Sequence, residues 1–361
     1  MNTDIFSKLN KSLEDALFYY DLPGLAVGLT GKDGFDYTGV FGFSNFSQKI
    51  PLRETHYFHM GSVTKLFVGA AVLKLVSQKK FSLDDKVSSL LPWFFVAPNS
   101  ATGDSYKEIT IRQLLSHTSG LGDVKDYRWD KPETDDGALK RYCLSAEVTG
   151  SSLLWRPGEG GFRYSNMAYE LLGTLIAEVS GITFEEYVKQ NLFKPLGMDN
   201  STLLTFERSS DGSLDLTALE AAGMAMPHSK DQDNHIILEK HYPYNRAHGP
   251  SSTLTTNIED IKRWAAAWIN KSPVISEIIG ADDPWSPFAI VPNNSEQIGL
   301  SWFIRQQNGY TLYGHEGTDD GFRASFWICP ELSISITVCS NLTGAPVKKI
   351  NKQIFDIITD R

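Results

Sequence analysis

The sequence predicts an α/β (α+β) fold: one antiparallel sheet built from both chain termini, flanked by helices, with a mainly helical lobe inserted between the two sheet-forming segments. Two observations lead there. Short runs rich in β-branched and aromatic residues, punctuated by tight turns, sit near the start of the chain and again after Gly299. The long stretch between them carries helical periodicity and few strand signals. Residues 1–58 and 299–361 are therefore assigned to a sheet lobe and 59–298 to a helical lobe, with a cleft where the two meet. A chain of 361 residues is long enough for two lobes sharing one interface.

In chain order, Ile5, Phe6, Leu9, Leu13, Ala16, Leu17 and Tyr20 recur at helical spacing and predict an amphipathic helix over 4–20, broken by Pro23-Gly24. Leu25–Leu29 and Tyr37–Gly42 read as two strands joined by a Lys32-Asp33-Gly34 turn. Phe58–Lys65 then runs into the apolar segment Leu66–Leu73, a helix with Ser62 and Lys65 in its first turn. Ile109–Gly120 predicts a short helix ending at the glycine, and 122–152 a polar, acidic surface excursion that can rim a cleft. Helices follow over Met167–Ser180, Phe184–Leu192 and Ile258–Trp268. The stretches 205–250 and 272–298 carry no readable conformation and are expected to shape the acyl and leaving-group pockets. Strand-like runs at 302–304, 311–313, 322–328 and 334–338 predict an antiparallel meander, closed by a helix from Val347 to Ile358.

Composition narrows the function classes. The net charge is −9 and the basic residues are scattered, which argues against nucleic acid and anionic membrane as partners. No run approaches the ~20 continuous apolar residues of a membrane-spanning helix. Residues 1–10 lack a basic n-region and an apolar h-region, so a cytoplasmic location is expected. Three cysteines, Cys143, Cys329 and Cys339, show no metal-ligand spacing, and the last two sit in apolar runs as small core residues.

Three short motifs carry chemistry. Ser62 and Lys65 are three residues apart on one helical face, so the amine can reach the hydroxyl. Burial and the positive end of the helix would disfavour the ammonium form and leave Lys65 better able to accept a proton. Ser-x-x-Lys is a cheap pattern, however: Ser77-Gln78-Lys79-Lys80 repeats it where the helix runs out into solvent. Tyr164-Ser165-Asn166, the only Tyr-x-Asn in the chain, precedes the Met167 helix, where the phenol can face a cleft. Beside an ammonium, that phenol is expected to lose its proton more easily; the bland reading is a structural tyrosine with Asn166 as a helix cap. His315-Glu316-Gly317 lies between two predicted strands, where a glycine permits close approach of a substrate and the following N–H can point at a carbonyl oxygen.

In this order the three motifs resemble the serine β-lactamase and penicillin-recognising enzyme family, and Tyr-x-Asn is similar to its class C branch, with D-Ala-D-Ala carboxypeptidases, D-aminopeptidases and β-lactamase-like esterases. Pro23–Val27, Ile111–Leu121 and Pro195–Met198 also look like family stretches, so the resemblance covers nearly the whole chain. It implies a β-lactamase-like fold and an acyl-enzyme mechanism without metal or cofactor. Ser62 would attack a carbonyl, with Lys65 and Tyr164 sharing the proton work. Asn166 would hydrogen-bond Lys65 or the substrate amide. The backbone N–H groups of Ser62 and Thr318 would form the oxyanion hole, and His315 and Gly317 would line the substrate site, His315 tuning Tyr164 or greeting a substrate carboxylate.

The third motif departs from the Lys-Thr-Gly that class C β-lactamases resemble. With no cation and an acid in the middle, it should hold a carboxylate poorly. A small-molecule ester or small amide is therefore the expected substrate, with weak or no β-lactamase activity. A D-amino-acid peptidase or carboxypeptidase, or a β-lactamase, is the alternative; Glu316 could favour a free amine. A non-catalytic penicillin- or peptide-binding sensor is the competing class. Retention of Ser62, Lys65 and Tyr164 together argues against it, and oligomeric state is left open.

Overall fold

The computed structural model describes residues 2–292 and 295–359; residues 293 and 294, inside the 272–298 stretch, lie outside the described residues. Among the described residues the main sheet has nine strands: β1 (Gly24–Gly31), β2 (Asp36–Asn45), β3 (Ile50–Pro51), β4 (Ala289–Ile290), β5 (Gln297–Ile298), β6 (Phe303–Gln307), β7 (Tyr310–Asp319), β8 (Phe322–Cys329) and β9 (Ile334–Ser340). Their order is β3-β2-β1-β9-β8-β7-β6-β5-β4, and every neighbouring pair is antiparallel. The β1–β9 pairing, Leu25 opposite Ser340 through Gly31 opposite Ile334, joins the two ends of the chain. Asp33 and Gly34 both take positive φ in the β1–β2 turn, the type I′ geometry that matches the twist of a hairpin.

Alternation along β1 explains the two cores. Leu25, Val27 and Leu29 face one side, against Leu9 and Leu13 of helix α1 (Asn2–Tyr19) and Ile350, Ile354 and Phe355 of helix α5 (Val347–Thr359). Ala26 and Gly28 face the other side. A Cβ at Gly28 would lie 2.7 Å from Ile258 Cγ2, so helix α4 (Ile258–Ile269) rests directly on the strand backbone. The larger core on that face surrounds helix α2 (Thr64–Ser77), whose residues from Thr64 to Leu73 are all buried. A helix apolar around its whole circumference belongs in a core, and here it carries the Ser62 turn at its start. Helix α3 (Asn166–Ser180) packs beside it and stops at Gly181 in the left-handed conformation.

Four expectations change. The helix expected to end at Gly120 occupies only Ile111–Leu115, held by a capping box between Thr110 and Gln113, and the chain turns away at His117, which has φ +57°. The 122–152 stretch is a rim only in its first part. Helices Ala138–Cys143 and Ala146–Thr149 then bury Ala138, Cys143 and Val148. The helix expected over Phe184–Leu192 is α-helical to Val188 and then relaxes into a π-turn, Lys189–Phe193. Strands β4 and β5 lie before Gly299, so the return to the sheet begins earlier than the hydrophobic pattern showed; both are two-residue strands, too short to alternate visibly.

Candidate active site

The site forms where the turn leading into α2 meets the free edge of β7. Strand β6 pairs with β7 only as far as Gly314, opposite Phe303, so His315–Asp319 presents an edge that β6 does not cover. Ser62 lies in a 3-10 turn, Gly61–Val63, that continues into α2. The turn and the strand touch backbone to backbone. A Cβ at Gly317 would fall 2.0 Å from the Met60 carbonyl oxygen, and one at Gly61, which has φ +52°, would fall 2.8 Å from the Thr318 nitrogen. Gly317 thus permits the approach of the Ser62 turn, and Gly61 needs both the space and the conformation. Gly317→Ala should lower unfolding free energy by about 1–3 kcal/mol in chemical denaturation, because backbone rather than a mobile side chain must shift.

Lys65 is completely buried, and its Nζ has three oxygen neighbours: Ser62 Oγ at 2.8 Å, Asn166 Oδ1 at 2.6 Å and the Ser251 carbonyl at 2.7 Å. The Asn166 amide is oriented by Asp123, whose Oδ1 accepts from Nδ2 at 2.9 Å and from the Asn166 backbone N–H at 2.7 Å. The oxygen of Asn166 therefore faces the lysine. Ser165, not Asn166, caps α3 by accepting from the Ala168 N–H, which leaves the asparagine side chain available. Burial lowers the Lys65 ammonium to about 8, against the opposing pull of Glu170, Asp123 and Asp319.

Tyr164 is stacked on His117 with centroids 4.3 Å apart and flanked by Phe303 at 6.4 Å; the Lys65 ammonium stands 5.0 Å from its ring centre. Its phenol is pushed well above the ordinary tyrosine value by burial, and a hydrogen bond with Ser62 offsets this only in part. The expectation of a more acidic phenol is thus reversed. Desolvation of the phenolate outweighs the nearby cation, and Tyr164 is a protonated phenol at neutral pH. His117 holds the loop in place: its Nδ1 accepts from the Ser165 N–H at 3.1 Å and its carbonyl accepts from the Arg163 N–H at 2.8 Å.

His315 is buried beside Phe303 and Tyr164, at centroid distances of 5.0 and 6.1 Å. Its Nδ1 lies 2.6 Å from the Glu316 carbonyl oxygen, so that nitrogen carries the hydrogen, and Nε2 is left as a buried acceptor without a partner among the described residues. Burial lowers the imidazole to about 3. A neutral acceptor cannot greet a carboxylate as a cation would, which corrects that expectation. Glu316 alternates with His315 along β7 yet also lines the cleft, and its Oε1 accepts from Trp327 Nε1 at 2.8 Å and Ser325 Oγ at 3.2 Å. Ser77 Oγ is engaged with the Lys74 carbonyl and Glu277 near the surface, far from these groups in the fold.

The cleft has a volume of about 520 Å³, and its lining brings together Ser62, Tyr164, Asn166, His315 and Thr318 with Asp123, Asp319 and Asp320. Tyr127 and Trp129, stacked at 5.3 Å, form part of its wall from the rim loop. Asp319 is held by His59 Nε2 at 2.7 Å and by the Ser252 hydroxyl. Asp123, His117, Asp319 and the Ser251 carbonyl escaped the sequence reading. Of these only His117 had a local signal, its place in the Leu114-Leu115-Ser116-His117-Thr118-Ser119-Gly120 stretch.

This fold, with a cleft beside the Ser62 turn, is of the β-lactamase-like class. A profile of the Beta-lactamase family matches residues 9–358, and the chain belongs to that family. It is 26% identical over 356 residues to Protein flp of Staphylococcus aureus (strain N315), covering 97% of this chain and 66% of that protein. It is also 26% identical over 278 residues to Penicillin-binding protein 4* of Bacillus subtilis (strain 168), covering 74% of this chain and 57% of the other. The chain thus spans about two thirds of the length of flp and less of the second relative. Among solved structures, the octameric penicillin-binding protein homologue from Pyrococcus abyssi superposes with a TM-score of 0.81 at 23% identity, covering 99% of this chain and 78% of the other. The D-amino acid amidase from Ochrobactrum anthropi SV3 superposes with a TM-score of 0.79 at 18% identity, covering 99% of each. These two likenesses establish the fold, a β-lactamase-like arrangement of helices and a large antiparallel sheet.

Proposed function

We propose that the chain is a serine hydrolase that cleaves a carboxylic ester or small amide through an acyl-enzyme on Ser62. The observation that carries this reading is the set of partners around Lys65 Nζ. Two of the three, the Asn166 amide oxygen and the Ser251 carbonyl, can only accept. A neutral amine has two N–H groups and one lone pair, so when both acceptors are served the lone pair faces Ser62 Oγ. The amine then takes the hydroxyl proton as Oγ bonds to the substrate carbonyl carbon. The oxyanion so formed would sit against the N–H groups of Ser62 and Thr318, a reading supported by the close approach of the Gly61 backbone to the Thr318 nitrogen. Collapse breaks the bond to the leaving group, which takes a proton from the Tyr164 phenol, and Lys65 returns one to the phenol. Water reverses the sequence to release the acid.

The carboxylates at the mouth favour a second, narrower reading, in which the acyl donor bears a free amine. Asp123, Asp319, Asp320 and Glu316 line the cleft, the first two also holding Asn166 and His59, while the cations beside them are engaged: Lys348 with Glu296 at 2.6 Å, and Arg323 with the Asp319 and Phe322 carbonyls at 2.7 Å each. The fold likeness to a D-amino acid amidase is in keeping with this. N-acetylation of a D-alanine p-nitroanilide should then lower kcat/KM more than tenfold; equal rates for the two compounds would rule the amine reading out.

Intact-mass spectrometry after brief exposure to p-nitrophenyl butyrate, a penicillin and a fluorophosphonate tests the acyl-enzyme. An adduct should form and map to the peptide carrying Ser62, and nitrocefin turnover should fall well below that of the best ester. No adduct from any reagent would place the chain among non-catalytic binders, and nitrocefin hydrolysis at ester-like rates would overturn the substrate assignment.

A further inference from the structure

Behind Lys65, on the side away from the cleft, lies a carboxylate that the acyl-enzyme steps do not use. Glu170 is one helical turn beyond Asn166 on α3 and is fully buried. Its Oε1 accepts from the Ser251 hydroxyl at 2.6 Å and lies 3.3 Å from His248 Nδ1. Its Oε2 is buried with no hydrogen-bond partner among the described residues. Ser251 is the residue whose carbonyl accepts from Lys65 Nζ. It sits in the short helix Gly249–Ser252, which packs on α3 so closely that a Cβ at Gly173 would fall 2.0 Å from Pro250 Cγ.

A half-satisfied buried carboxylate is an expensive way to hold a serine in place, since a glutamine of the same shape could accept the same hydrogen bond without a buried charge. The charge has a use. Lys65 becomes an ammonium when it takes the Ser62 proton, and its three contacts are all to neutral oxygens. The carboxylates nearest in effect are Glu170 from α3, Asp123 from the rim loop and Asp319 from β7, and Glu170 is the strongest of them. Asp123 is committed to Asn166, and Asp319 to His59 and Ser252. We propose, resting on the Ser62 acyl-enzyme reading, that Glu170 is a positioning residue for Lys65: through Ser251 it fixes the carbonyl that directs the lysine, and it supplies the buried negative charge that steadies the ammonium formed during acylation.

The groups that could blur this effect are few. Glu170 is faced by His248 from the turn Arg246–His248, by Tyr142 and Cys143 from the helix Ala138–Cys143, by Tyr127 from the rim, and by Lys65. Burial raises Tyr142, Tyr127 and Cys143, the last to about 12, so these stay neutral through an ordinary assay range. Lys65 is faced in addition by Tyr164, Tyr169, His117 and His315, and burial keeps both histidines uncharged there.

The test is Glu170→Gln, read in two ways. In protein carrying 13C-labelled lysine, with the Lys65 signal assigned by its loss in Lys65→Arg, the titration midpoint of Lys65 should fall by about half a pH unit or more, because an attractive charge is removed. The acid limb of Ser62 labelling by a fluorophosphonate should move to lower pH by the same amount, and Glu170→Asp should bring both back toward wild type. An unchanged midpoint in Glu170→Gln overturns the proposal. If Glu170→Gln does not fold, Ser251→Ala carries the positioning part of the test, since it removes the hydroxyl that ties Glu170 to the turn whose carbonyl directs Lys65; an unmoved Lys65 midpoint there overturns the proposal equally. A wild-type protein that titrates at Lys65 but never labels at Ser62 would defeat the hydrolase reading and, with it, the catalytic part of this one. Normal labelling with an unmoved midpoint defeats Glu170 alone.

Discussion

Ser62→Ala is expected to reduce ester turnover to the uncatalysed rate and to abolish every covalent adduct, while thermal unfolding stays close to wild type. The hydroxyl is partly exposed to the cleft and hydrogen-bonds only Lys65 and the Tyr164 phenol among the described residues, so its loss removes chemistry and little packing. Lys65 keeps Asn166 and Ser251 as acceptors in the variant. Ser77→Ala is the matched control. It removes the other serine with a lysine three residues on, at a surface position tied to Lys74 and Glu277, and should leave kcat/KM unchanged. Residual adduct in Ser62→Ala on the same peptide would mean that another group in the cleft is nucleophilic.

Tyr164→Phe should slow acylation by roughly 10²–10⁴-fold, the usual worth of a positioned acid or base. The ring remains, so stacking on His117 and Phe303 is retained and folding should be preserved. Because the phenol is protonated at neutral pH, its removal should hurt substrates with poor leaving groups most. An anilide should lose more rate than a p-nitrophenyl ester, whose leaving group departs without a proton. Equal losses for both would take Tyr164 out of leaving-group protonation, and unchanged kinetics would take it out of the mechanism.

What the sequence made legible was local or ordered along the chain. The Ser62–Lys65 spacing fixes the pair on one turn, and strand patterns at both ends led to the β1–β9 pairing. The parts that were not legible depend on distant contacts or on burial. Asp123 orients Asn166 from 43 residues away within a polar loop that resembles many surface loops. The Ser251 carbonyl has no side-chain signature at all, and nothing in Met167-Ala168-Tyr169-Glu170 marks the glutamate as facing inward rather than solvent. The Tyr164 phenol shifts opposite to the sequence expectation for the same reason: a neighbouring cation can be inferred from motif order, whereas complete desolvation cannot. Gly317 was read for substrate approach, and its role against the Met60 carbonyl emerges only when turn and strand are brought together.

The central claim is that buried Lys65, in its neutral form, takes the Ser62 proton. The pH dependence of the single-turnover rate of Ser62 labelling by a fluorophosphonate, followed by intact mass from pH 6 to pH 10, tests it most directly. The rate should climb about tenfold per pH unit and level off near pH 8, as Lys65 loses its proton. His315, lowered to about 3, should contribute no inflection in that range. A pH-independent rate, or a rise still continuing at pH 10 as an ordinary lysine or tyrosine would give, would contradict the account.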